Sequence, residues 1–158
     1  MEGKRGKTGR AEFTRILEPV QRDHFKKKQV LEELFITAAL EVGLFTRTAV
    51  PPEAQAKAGV HVRVLLDGQQ VEPGVVVYGR RIQTLASDAS IELQQESLDA
   101  NSFSFVAVDV PQGVHQICVQ ARVDTGGTGD FSAEGAVGKG TVTVESVRLI
   151  NGEDVLLN

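Results

Sequence analysis

The fold class is decided by residues 114–123, VHQICVQARV. Apolar and polar side chains alternate along this stretch with a period of two, the period at which strand side chains point to opposite faces of a sheet. One face would carry Ile117, Val119, Ala121 and Val123, and the other would carry Gln116, Cys118, Gln120 and Arg122. The pattern predicts a β-strand with one face in a core and the other toward solvent.

The same signal recurs on both sides of this stretch. Residues 60–66 alternate and end at the turn dipeptide Asp67-Gly68, and further strands are predicted at 75–78, 82–85, 91–96, 103–108 and 141–150. In the last strand the parity of the apolar residues changes, which predicts a bulge near Glu145-Ser146. Residues 53–59 and the Gly-rich stretch 124–140 predict loops, the second with a short strand at 133–137. The chain is therefore expected to be mainly β, a single antiparallel β-sandwich of jelly-roll-like kind.

The N-terminal region differs from the rest in charge. Residues 1–28 contain nine Lys or Arg and four acids, a net charge of +5, whereas the other 130 residues contain eight bases and seventeen acids, a net charge of −9. We predict a basic N-terminal arm over residues 1–33, partly helical or disordered, and a β-sandwich domain over residues 34–158. The basic arm residues include Arg5, Lys7, Arg10, Arg15, Arg22, Lys26, Lys27 and Lys28.

Two segments of this region have apolar patterns. Phe13, Ile16, Leu17 and Val20 have the i, i+3, i+4, i+7 spacing of a helix face, which Pro19 would break or kink. Residues 30–45 fit either a helix or a strand. The helix alternative uses Val30, Leu31, Leu34, Phe35 and Ala38. The strand alternative begins near Phe35; it places Ile36, Ala38, Leu40, Val42 and Leu44 on one face and Thr37, Glu41, Gly43 and Phe45 on the other. Gly43 and the following threonines favour the strand.

A family resemblance adds to this reading. Residues 101–123, NSFSFVAVDVPQGVHQICVQARV, resemble a hairpin of jelly-roll and β-sandwich modules from bacterial surface proteins and phage tail or fibre proteins. Residues 137–154 are similar to the closing strand of those modules, and the wider likeness is to complement- and tumour-necrosis-factor-like jelly rolls. The resemblance implies an oligomer-forming building block or a binding head, and seldom a catalyst.

The residues that could carry chemistry are sparse. His24, His61 and His115 have no metal-ligand spacing, and we expect His115 to bond a nearby backbone carbonyl and fix a turn. Cys118 lies three residues from His115, so on a strand the two side chains project to opposite faces, and Cys118 is expected to be a partly buried small residue. The sequence also has no phosphate loop, nucleophile elbow or zincin helix. We predict no catalytic, cofactor or metal residues.

The preferred function is a non-catalytic structural subunit that self-assembles into a homo-oligomer or filament through its N-terminal arm. In that hypothesis residues 35–44 insert as a strand into the open edge of a second copy. The first alternative is a ligand- or receptor-binding module, although the absence of Trp and the single Tyr78 disfavour a glycan-stacking platform. The second alternative is a capsid-like protein whose basic arm contacts nucleic acid.

The sequence also bears on location. No stretch approaches the ~20 apolar residues of a membrane-spanning helix, and the basic N-terminus has no apolar signal region. The location is left open, and cytoplasmic synthesis with virion or extracellular assembly is one alternative.

Overall fold

All regular secondary structure in the described part of the chain is β-strand. The computed structural model describes residues 13–15, 20–21 and 31–147. Their nine strands are β1 (Thr14–Arg15), β2 (Val20–Gln21), β3 (Glu32–Val50), β4 (Glu53–Leu66), β5 (Gln69–Gln70), β6 (Val76–Ala86), β7 (Ile91–Val110), β8 (Gln116–Thr128) and β9 (Asp130–Val147). The prediction of a mainly β chain is confirmed.

The strands form two antiparallel sheets. In sheet A, β4 and β8 lie side by side; β5 and β6 pair with the other edge of β4, and β1 and β2 pair with the other edge of β8. Sheet B has three long strands in the order β7-β3-β9. The inward faces of the two sheets share one hydrophobic core, as in a β-sandwich.

Strand β3 lies at the centre of sheet B. It pairs with β7 from Glu32 to Val50 and with β9 from Glu33 to Ala49. All of its even-numbered side chains from Glu32 to Val50 are buried. The strand alternative for residues 30–45 is therefore confirmed from Glu32 onward, and the helix alternative is wrong there.

The core is built from small β-branched and alanine side chains facing β3. Strand β4 contributes a run of buried inward residues: Ala54, Ala56, Ala58, Val60, Val62 and Val64. Phe105 is the largest side chain that is fully buried. Tyr78 is also buried, and its hydroxyl donates a 2.6 Å hydrogen bond to the Ala38 carbonyl of the opposite sheet. Burial raises the pKa of Tyr78 to about 12, so this hydroxyl stays protonated and keeps its role as donor.

Two predicted loops are strands. Residues 53–59 form the first half of β4, where alternate alanines point into the core. Residues 124–140 continue β8 to Thr128, turn at Gly129 with φ of 72°, and continue as β9. The glycines that suggested a loop lie inside paired strands. At some of these positions a neighbouring side chain or carbonyl occupies the space of a Cβ, so a larger residue would not fit.

The last strand contains a bulge, but the predicted position near Glu145-Ser146 was wrong. The register of β9 against β3 shifts between the pairs Leu40–Gly140 and Val42–Val137, not near residues 145–146. The parity of apolar residues changes later in β9 because Val147 pairs with Glu33 on the outward side of the sheet and is 41% exposed.

The described residues of the predicted arm that precede residue 31 belong to sheet A, whereas Glu32 and Glu33, also assigned to the arm, begin β3 in sheet B. Thr14 and Arg15 pair with Ala121 and Gln120, and Val20 and Gln21 pair with Ile117 and Gln116. The predicted helix is not supported by these residues, which are extended. Ile16, Leu17 and the remaining basic residues of the arm lie outside the described residues. Within the described ranges, no helix is long and apolar enough to cross a membrane.

Candidate functional site

The outer face of sheet B, the side of β7-β3-β9 that points away from sheet A, is the first candidate surface. Phe35 and Phe45 lie on it in the central strand and are half-buried. Phe45 pairs with Glu96 on one side and with Glu134 on the other. Leu98, opposite Gly43, is 67% exposed. An apolar group of this kind on an outward sheet face is typical of an interaction surface.

Small side chains lie between the two phenylalanines on the outer face of sheet B. Outward positions of the three strands here are Thr37, Ala39, Ser102, Ser104, Thr141 and Thr143. The hydroxyls of Thr37 and Ser104 lie 2.9 Å apart and form a hydrogen bond. Because few of these side chains extend far beyond Cβ, they project little from the sheet and leave Phe35 and Phe45 accessible to a second protein surface.

The outer face of sheet B is strongly acidic. Its described carboxylates are Glu33, Glu41, Glu92, Glu96, Asp130, Glu134 and Glu145. Its bases are Arg47 and, in the β9 bulge opposite Glu41, the exposed Lys139, so the net charge is −5. Arg47 donates to Glu92 at 2.9 Å and to Asp130 at 3.0 Å, joining all three strands. These bonds raise the pKa of Arg47, and the bond from Arg47 lowers the pKa of Glu92.

The outer face of sheet A, the opposite side of the sandwich, has the other sign of charge. Its outward positions on β4, β6 and β8 include the bases Lys57, Arg63, Arg80 and Arg122 and the acids Glu53 and Asp124, a net charge of +2. Val77 and Ile82 on β6 add exposed apolar surface, at 50% and 48% exposure.

Phe13 lies on this basic face. The guanidinium carbon of Arg63 is 4.1 Å from the centre of the Phe13 ring, and that of Arg122 is 4.9 Å from it, within the range of cation–π attraction. Arg122 also donates to Asp124 at 3.1 Å, and the Nδ1 atom of His61 lies 2.8 Å from the same carboxylate. The Asp124 carboxylate thus lies beside one guanidinium and one imidazole.

A cleft of about 380 Å³ opens at one end of the sandwich, between the β4–β5 turn and the end of β7. Its lining combines apolar with polar groups: Val71, Val106, Val108, Glu72, Asp109 and His115. The volume falls in the range of small-molecule sites, about 300–1,000 Å³.

His115 fixes the edge of this cleft. Its Nδ1 atom lies 2.6 Å from the Asp67 carboxylate and its Nε2 atom 2.6 Å from the Pro111 carbonyl. Both partners are acceptors, so both bonds form together only in the doubly protonated imidazolium. The bond to Asp67 raises the pKa of His115. Burial alone would raise the pKa of Asp67, but the hydrogen bonds from the Gln116 amide and from His115 outweigh it and lower that pKa. The prediction that His115 bonds a backbone carbonyl is confirmed; its partner Asp67, 48 residues away, had no signal in the sequence beyond the turn dipeptide.

The residues predicted for an assembly arm are not brought together. Phe13 lies on sheet A; Ile36, Leu40, Val42 and Leu44 point into the core from β3, while Phe35 points outward. Cys118 is partly buried, as predicted. Within the residues that the structure describes, no group of three His, Cys, Asp or Glu could hold a metal ion.

The geometry defines a two-sheet antiparallel β-sandwich with an acidic and a basic outer face. Comparison with protein-family models, curated proteins and solved structures finds no match to the chain. The functional argument therefore rests on the surfaces of the molecule.

Proposed function

We propose that this protein is a non-catalytic structural subunit, a jelly-roll-like β-sandwich that self-associates into a homo-oligomer or filament. The observation that carries the proposal is the outer face of sheet B. No described element covers this face, although it holds two half-buried phenylalanines and the 67% exposed Leu98. A sheet face toward water is usually polar throughout, so partly apolar faces of this size favour a protein partner.

The dimensions of the face support an interface. Its strands contain 18 to 20 residues. At ~3.3 Å per residue and ~4.8 Å between strands, three such strands cover an area on the order of 800 Å². This is about the area that each partner contributes to a standard protein–protein interface.

The ionisable side chains of the described surface favour a structural role over catalysis. His115 is held between Asp67 and Pro111, and Arg47 is held between two strands that flank its own. Such pairs join separate segments and leave the ring nitrogens and the guanidinium engaged within the fold. A general base needs a nitrogen or oxygen that can reach a substrate proton.

The N-terminal arm has a part in this proposal. Its described residues pair with β8 at four positions, and Phe13 adds contact with two arginines. A ladder this short costs little to open, and the same edge of β8 on a second copy offers identical partners. Exchange of the arm between copies would then strengthen an assembly that the sheet faces initiate.

The experiment compares two aspartate substitutions by light scattering on a sizing column. Leu98→Asp places a charge on the outer face of sheet B, whereas Val114→Asp makes the same change at a loop position that is 56% exposed. We expect the wild-type chain and Val114→Asp to form the same oligomer, and Leu98→Asp to be monomeric and folded. A wild-type chain that stays monomeric at high concentration would overturn the proposal.

A ligand-binding module is the second candidate, favoured by the cleft beside His115. Val108 lines the cleft and is 60% exposed, so a larger side chain there should fill the cleft without disturbing the core. A compound that shifts the amide resonances of Val106 and Val108 in the wild-type chain, but not in Val108→Trp, would support this candidate. If a broad screen gave no such compound, the cleft would be left as an ordinary surface groove.

A further inference from the structure

We propose that copies of this chain stack head to tail, with the basic outer face of sheet A on one copy covering the acidic outer face of sheet B on the next. This inference rests on the proposed self-association and names the two surfaces that meet. The occupant of the acidic face is thus a second copy of the same chain.

Charge determines which surfaces can meet. The outer face of sheet B has a net charge of −5, and that of sheet A has a net charge of +2. A symmetric dimer through sheet B would place two faces of net charge −5 against each other, and like charges across an interface are strongly unfavourable. Stacking of sheet A on sheet B instead brings opposite potentials together, which favours encounter and sets the orientation.

The sequence before Phe13 is also basic. Residues 1–12 contain four bases, Lys4, Arg5, Lys7 and Arg10, and two acids, Glu2 and Glu12. They connect directly to Phe13, which lies on the outer face of sheet A between Arg63 and Arg122. A basic stretch of sequence thus leads directly into a residue of the basic face.

Apolar groups are present on both of the surfaces. Sheet A offers Val77 and Ile82, which are about half exposed, and sheet B offers Leu98 and the ring of Phe45. Because exposed ion pairs contribute little net free energy, these apolar groups would supply much of the affinity, and the charges the orientation. An interface between two different surfaces is heterologous, so repetition gives a closed ring or an open filament rather than a symmetric dimer.

The test changes the charge of one face at a time. Glu96→Lys/Glu134→Lys changes the two exposed carboxylates that flank Phe45 on sheet B, and Lys57→Glu/Arg80→Glu changes two exposed bases of sheet A. The matched control, Asp88→Lys/Asp99→Lys, makes the same change of charge as the first variant at exposed positions outside both outer faces. Self-association is measured by light scattering in 50 mM and 500 mM NaCl.

We expect the wild-type chain and the control to associate at low salt and to weaken at least tenfold at high salt. Each face variant alone should associate at least tenfold more weakly than the control. An equimolar mixture of the two face variants should recover a one-to-one complex, because the unaltered sheet A of the sheet B variant then meets the unaltered sheet B of the sheet A variant. If both face variants assemble as well as the control, stacking is wrong while self-association stands; if the wild-type chain is monomeric in both salts, both proposals fail.

Discussion

Single residues hold the ends of this sandwich together through charge. His115 and Asp67 lie on segments 48 residues apart, and their contact ties the β4–β5 turn to the start of β8. The Gln116 amide adds a 2.8 Å bond to the other oxygen of the same carboxylate. Asp67 has φ of 50°, a left-handed conformation that Asp and Asn tolerate better than most residues. Charge, hydrogen bonding and backbone conformation thus select the same residue.

The pair predicts a pH-dependent stability. The pKa of His115 is raised from 6.5, so its contribution is complete below pH 6.5 and is lost as the pH rises through the higher folded value. The pKa of Asp67 is lowered from 3.8, so its contribution is complete above that pH and is lost as the pH falls through the lower folded value. The ion pair therefore stabilises most between about pH 4.5 and 6.

We expect His115→Gln to lower the free energy of unfolding by about 1 kcal/mol at pH 5.5, and by much less at pH 8.5. Urea unfolding at the two pH values measures this difference. Asp67→Asn keeps the acceptor for the Gln116 amide and the tolerance for a positive φ, so it should show the same pH trend. Equal losses at both pH values would mean that the imidazole is neutral in the folded protein.

Gln83 gives a second prediction at this scale, from a buried polar network. Its amide nitrogen donates to Thr48 at 2.6 Å and to the Leu93 carbonyl at 2.9 Å, and its oxygen accepts from Thr46 at 3.0 Å. Gln83→Met should cost about 2 kcal/mol, because it leaves two buried hydroxyls without these partners. The triple variant Thr46→Val/Thr48→Val/Gln83→Met should cost less than the single one in urea unfolding. A triple variant that loses the sum of three separate effects would contradict this explanation.

Among the elements, the Gly-rich part of β8 and β9 is where sequence reasoning fails. Alternation of β-branched residues identifies the second half of β4 and the first half of β8, since period-two burial is a local property of a strand. Gly127 also lies in a strand, but groups from other segments occupy the space that a Cβ would need. A Cβ there would overlap the Gln55 carbonyl oxygen and come within 2.6 Å of the Phe131 ring. Composition indicates a loop at such a position, and only the tertiary contacts show why glycine is needed.

Adjacent glycines allow a direct test of this explanation. Gly127→Ala should lower the free energy of unfolding by about 2 kcal/mol or more, because β4 or Phe131 must move to admit the methyl group. At Gly126 a Cβ would meet no heavy atom within 4 Å. Gly126→Ala should therefore be neutral or slightly stabilising in the same urea titration. Equal effects at the two positions would indicate that backbone entropy, and not close approach, explains the glycines.

The candidate surfaces were harder to foresee than the strands. The sequence shows the basic excess of the first 28 residues and the acidic excess of the remainder, but not how the acids divide between two faces. That division depends on which strands are neighbours. Even the residues of β3 and β7 that are nearest in sequence, Val50 and Ile91, are 41 residues apart. Phe45 lies between Glu96 and Glu134 only because three distant segments pair in one register.

For the molecule as a whole, the central place of β3 decides which parts of the chain are dispensable. Removal of residues 1–30 takes away β1 and β2 but leaves the three strands of sheet B and the β8-β4-β6 part of sheet A. Removal of residues 1–50 takes away the strand that joins β7 to β9. That strand contributes six large or medium apolar core side chains, Leu34, Ile36, Leu40, Val42, Leu44 and Val50.

We therefore expect a chain that begins at Leu31 to fold with a lower melting temperature, and a chain that begins at Pro51 to stay unfolded. Burial of each of those apolar side chains contributes about 1.5–3 kcal/mol, and their sum is comparable to the whole stability of a domain of this size, about 5–15 kcal/mol. Circular dichroism and thermal unfolding of the two chains measure the difference. A cooperative thermal transition in the shorter chain would mean that β7 and β9 find another common neighbour, and that β3 is an addition to the sandwich rather than its centre. The same pair of chains also separates the arm from the fold, since only the chain from Leu31 can report whether residues 1–30 affect self-association.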